Sequence, residues 1–118
     1  MATVVTIGRS VDGRPMDLVS WRRFMGETLD AVEAYTGKVY FSGEGHGIYE
    51  DEAEASYIVV ADGYTVVGED VPMDEDASSY LRLMRALARL AAKYGQESIA
   101  LTEGLTQLVQ NDPHGELV

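Results

Sequence analysis

The chain has 118 residues, the size of a single domain, and its 20 Asp and Glu against 9 Lys and Arg leave a net charge of -11. That balance opposes direct contact with DNA or RNA, because phosphate repulsion works against the counterion release that drives such binding. With no cysteine, disulfides, thiolate metal sites and cysteine nucleophiles are excluded, and a cytoplasmic location is expected.

The opening Met1–Arg9 has no basic region followed by a long apolar run, and no stretch approaches the roughly 18 apolar residues of a membrane span, so neither export nor insertion is expected. Val4, Val5 and Ile7 among threonines, closed by Gly8, predict a first strand, and Asp12-Gly13-Arg14-Pro15 predicts a turn within a loop. Asp17 suits an N-cap for a helix whose face carries Leu18, Trp21, Met25, Leu29 and Val32, with Phe24 and Thr28 flanking it. Gly37 suits a left-handed C-cap at its end. Lys38–Ser42 predicts a second strand, followed by a flexible loop at Gly43-Glu44-Gly45-His46-Gly47. Ser56–Ala61 is near-continuously apolar and predicts a central strand.

Asp62-Gly63 is a hairpin signal that adds Tyr64–Val67 as an extra strand, and the carboxylates of Asp74, Glu75 and Asp76 favour the start of a second helix. That helix presents Tyr80, Leu83, Met84, Leu87, Leu90, Ala91 and Tyr94 on one face and ends at Gly95. Ser98–Thr102 is the last main strand, with Gly104 a bulge before Leu105–Val109, and the tail from Gln110 reads as flexible. Residues 1–109 are thus expected to form one α+β domain and residues 110–118 a flexible tail.

Strand, helix, two strands, helix, strand is the order of the split β-α-β pattern, which predicts a ferredoxin-like β-α-β-β-α-β two-layer sandwich with an antiparallel sheet. Its helices cover one sheet face and leave the other open. Tyr40, Tyr49, Tyr57 and Tyr64 alternate with aliphatics in the strands and are expected to cover the open face or join a partner, so a homodimer through that face is expected.

Thr6-Ile7-Gly8-Arg9-Ser10, the Trp21 to Phe24 spacing, and Tyr94-Gly95-Gln96-Glu97-Ser98-Ile99-Ala100-Leu101 together resemble a group of small uncharacterised proteins of actinobacteria and their phages. The resemblance spans Val4 to Val109 and implies a ferredoxin-like fold and a viral or prophage origin. This chain departs from the group in its acidic middle, at Glu50 to Glu54 and Glu69 to Asp76.

That middle is distinctive. No Lys or Arg lies between Lys38 and Arg82, while Glu44, Glu50, Asp51, Glu52, Glu54, Asp62, Glu69, Asp70 and Asp74–Asp76 all do. The binding candidates are Glu44, His46, Tyr49, Glu50, Asp51, Glu52 and Glu54, since an accessible histidine beside carboxylates can move a proton or hold a cation. Their spacing matches neither a zinc motif nor an EF-hand, and Gly43, Gly45 and Gly47 precede no helix that would cradle a phosphate. No Gly-x-Ser-x-Gly elbow is present. No catalytic residue, metal or cofactor is therefore assigned.

Arg82, Arg85, Arg89 and Lys93 form a basic stripe on the second helix, set to pair with the acidic middle or with an acidic partner. The expected function is a non-enzymatic module that binds a protein through its acidic surface, as a phage-encoded accessory or inhibitor of a host protein. A small-molecule site around His46 and a structural accessory of a virion are the competing readings, and neither nucleic acid nor membrane is an expected partner.

Overall fold

The computed structural model describes residues 2–49, 52–63, 79–104 and 113, with only the backbone described for Tyr49 and Glu52. Its elements are β1 (Ala2–Gly8), β2 (Ser10–Val11), β3 (Arg14–Pro15), α1 (Leu18–Tyr35), β4 (Lys38–Tyr49), β5 (Glu52–Asp62), α2 (Ser79–Lys93) and β6 (Ala100–Gly104). The expectations for Tyr64–Val67, Leu105–Val109, Glu69 to Asp76, Glu50, Asp51 and, Pro113 aside, the tail lie outside the described residues.

The long strands form an antiparallel sheet in the order β4-β5-β1-β6. β5 therefore lies between β4 and β1, which run parallel to each other, and β1 lies between β5 and β6. Thr3, Val5 and Ile7 of β1 pair with Ala61, Val59 and Tyr57 of β5, and all six are buried on one face. Period-two alternation makes that face the core side. Trp21, Phe24 and Val32 of α1 and Leu83 and Leu87 of α2 complete the cluster, so both helices cover the same face.

Local chemistry accounts for the helix ends. Asp17 caps α1 by accepting from the Ser20 amide at 2.9 Å and the Ser20 hydroxyl at 2.8 Å. Gly95, at φ 69°, closes α2 in a Schellman motif, in which the Gln96 amide donates to Ala91 O at 2.8 Å. Gly37 does something other than the expected left-handed cap. Its amide donates to Asp62 O at 2.9 Å, and a Cβ there would fall 2.7 Å from that oxygen, so glycine is needed for close approach to β5.

The periodicity of α1 is rotated from the expected one. Trp21, Phe24, Thr28 and Val32 are buried, while Leu18 and Val19 are exposed. In α2, Leu83, Leu87 and Ala91 are buried and Tyr80 and Met84 are exposed, so its apolar face is wider than its contact with the sheet.

Two segments are more ordered than the sequence suggests. Asp12, at φ 50°, and Gly13, at φ 78°, turn a small hairpin in which Val11 pairs with Arg14 and Ser10 with Pro15. The Gly43–Gly47 stretch is not a loop. β4 runs through it to Tyr49, with Gly43, Gly45 and Gly47 opposite Ile58, Ser56 and Glu54 of β5. A long cross-strand partner supplies the order that glycine's conformational entropy opposes.

Candidate functional site

The face away from the helices carries Val4 and Thr6 of β1, Ile58 and Val60 of β5, Ala100 and Thr102 of β6, and Phe41 of β4, by the pairing register. A register shift between Val39 and Phe41 resets β4, so that Phe41 pairs with Val60 on this open face and is 57% exposed. Between Phe41 and Tyr49 every second residue, Gly43, Gly45 and Gly47, lacks a side chain. The result is a glycine-floored trough with Phe41 lying over Gly43, whose Cβ would come 3.0 Å from the Phe41 ring.

The four tyrosines expected on this face separate. Tyr57 is buried with the core, a correction that follows from its pairing with Ile7 on the helix side. Tyr40 is exposed, and partial burial, then the Asp62 carboxylate it hydrogen-bonds, push its phenol up. Tyr64 and the Tyr49 side chain lie outside the described residues.

At its far end the trough meets a groove of about 700 Å³, lined by Thr6, Gly8, Ser10, Glu54, Gln96 and Ser98 among others. Two segments distant in sequence, Thr6–Ser10 and Gly95–Ser98, meet there, and Gln96 Nε2 donates to Ser10 O at 3.2 Å. Glu54 folds back over the first of them. A Cβ at Gly8 would fall 1.5 Å from Glu54 Oε1, and the same oxygen accepts from the Ser10 amide at 3.4 Å. Gly47 similarly makes room for Ser56, whose Oγ would lie 2.9 Å from an added Cβ.

Glu44 stands on the helix side of β4, opposite Tyr57, and accepts from Trp21 Nε1 at 2.9 Å. Two of the expected acidic binding residues, Glu44 and Glu54, thus brace the fold while His46 stays exposed on the helix side, opposite Ala55. His46 lines neither this groove nor the apolar one of about 400 Å³ between α2 and the start of β6. Glu52 stands in β5, and Glu50 and Asp51 lie outside the described residues.

The basic stripe is exposed along α2 at Arg82, Arg85, Arg89 and Lys93. Lys93 Nζ donates to Glu27 Oε1 at 2.6 Å, and the Tyr94 hydroxyl donates to Glu27 Oε2. Tyr94 also stacks on Phe24 with ring centroids 4.7 Å apart. These contacts clasp α2 to α1. Among the described residues, no three His, Asp or Glu are grouped to hold a metal ion, and no helix is long and apolar enough to cross a membrane. The trough is hidden in the sequence because glycines at alternate positions read as a loop. The signal was their phase with Phe41, two residues apart throughout.

No family model, no curated protein and no solved structure matches the chain.

Proposed function

We propose that the chain is a non-enzymatic protein-interaction module whose contact surface is the open sheet face. The observation that carries this reading is the glycine-floored trough with Phe41 exposed at one end and the groove beside Glu54 at the other. An exposed aromatic beside a side-chain-free strip suits an extended segment of a partner, which gains an apolar anchor at Phe41 and polar contacts near Glu54 and Gln96. The exposed position of His46 outside both grooves supports this over a small-molecule site around that residue.

The contact then lies away from the acidic residues themselves. Glu44 and Glu54 are engaged internally, and the remaining carboxylates steer a basic partner toward the face rather than form it. We also read the sandwich as ferredoxin-like, supported by β4 and β1 flanking β5 and by both helices lying on one face.

The test is affinity capture from a lysate with three baits of equal helicity: wild type, Phe41→Lys on the open face and Met84→Lys on the helix layer. Wild type and Met84→Lys are expected to retain the same protein and Phe41→Lys to lose it. Loss with Met84→Lys and retention with Phe41→Lys would place the contact on α2 instead.

A further inference from the structure

β4 is an edge strand, and among the described residues no strand pairs with its outer side. Arg9 N donates to Ala55 O at 2.9 Å, so Ala55 turns its backbone groups toward β1 and away from its β4 partner, His46. Ladder alternation then turns the N–H and C=O groups of His46, and with them those of Ser42, Glu44 and Ile48, outward. A row of backbone groups this long, unpaired among the described residues, is a template for another strand.

The regular part of β4 begins after the register shift at Phe41 and reaches Tyr49, where its pairing with β5 ends. Gly45 stands midway along it. We propose that β4 pairs with β4 of a second copy, antiparallel about a two-fold axis through Gly45, so that the two open faces join into one continuous sheet face.

Charge selects this register. With the axis at Gly45, Glu44 of each copy stands beside His46 of the other, and Ser42 stands opposite Ile48, all on the helix side and all with outward backbone groups. An axis at Glu44 sets carboxylate against carboxylate, and one at His46 sets imidazole against imidazole. Trp21 engages Oε1 of Glu44, and Oε2 remains for the second copy. The axis itself falls on a non-hydrogen-bonded pair, where Cα atoms approach to about 4.5 Å. Glycine suits that approach, and a Cβ at Gly45 meets nothing within 4 Å in a single copy.

The proposal is independent of what binds the open face and is tested on the purified full chain alone, at about 0.15 M salt so that the net charge is screened. The chain has no cysteine, so Gly45→Cys introduces one thiol, on the axis and within disulfide reach of its mate. Mild oxidation is expected to give a covalent dimer of Gly45→Cys that reductant dissolves. Ser42→Cys and Ile48→Cys, both at exposed positions, are expected to stay unlinked separately and to cross-link when mixed. His46→Glu in the Gly45→Cys background is expected to lower the yield, and His46→Lys to keep it. An unlinked Gly45→Cys chain that retains the wild-type circular dichroism would overturn the proposal. So would Ser42→Cys linking to itself as readily as to Ile48→Cys.

Discussion

The hydroxyls of Thr3 and Thr28 are buried in the core, and among the described residues neither has a hydrogen-bond partner. A buried hydroxyl without a partner forfeits its water and gains nothing in return, so an isosteric apolar residue should fit better. Thr3→Val, in a central strand that favours β-branched side chains, is expected to raise stability by about 1 kcal/mol in a urea melt. In the sequence Thr3 is only part of a β-rich run, and nothing there says which face it takes or whether a threonine on that face finds a partner. Glu44 and Glu54 make the same point in reverse. Read from the chain they belong to an acidic surface, and only the fold brings Trp21 and the Ser10 amide to them.

Two glycines in and after α1 have opposite consequences for that element. Gly26 is exposed in the middle of the helix, and a Cβ there meets nothing within 4 Å. Gly26→Ala is therefore expected to stabilise by about 0.5–1 kcal/mol through helix propensity alone. At Gly37 a Cβ would strike the Asp62 carbonyl at 2.7 Å, and Gly37→Ala is expected to destabilise by about 1–3 kcal/mol. Chemical denaturation of the two variants beside wild type checks both signs. The clasp between the helices adds a pH dependence. The hydrogen bond from Lys93, then that from Tyr94, holds the Glu27 carboxyl below its ordinary 4.5. A carboxylate depressed on folding stabilises above its unfolded value and loses that contribution as pH falls through the folded one. The difference in Tm between wild type and Glu27→Gln should thus be full above pH 4.5 and close as the solution is made more acidic. The two helices were legible from apolar spacing and caps. The rotation of α1's buried stripe onto Phe24 and Thr28 was not, because Leu18 and Met25 fit a helical face equally well until a sheet selects one.

For the chain as a whole, apolar strands and amphipathic helices sufficed to read an α+β fold with an antiparallel sheet, which the structure has. The candidate surface was less legible. Composition drew attention to the acidic middle and to His46, whereas the trough depends on β4 continuing as a strand through glycines that are poor strand formers alone. Pairing with β5 overrides that local preference and turns a loop-like motif into a surface. The most direct measurement is site-specific photo-crosslinking in cells, with a photoreactive phenylalanine placed at Phe41 or, for comparison, at Met84. An adduct containing peptides of a different protein is expected from position 41 and none from position 84. Peptides of a different protein from position 84 alone, or none from position 41, would contradict the open sheet face as the contact surface, whatever adduct position 41 gives with a second copy, whose Tyr49 the β4 pairing sets opposite it.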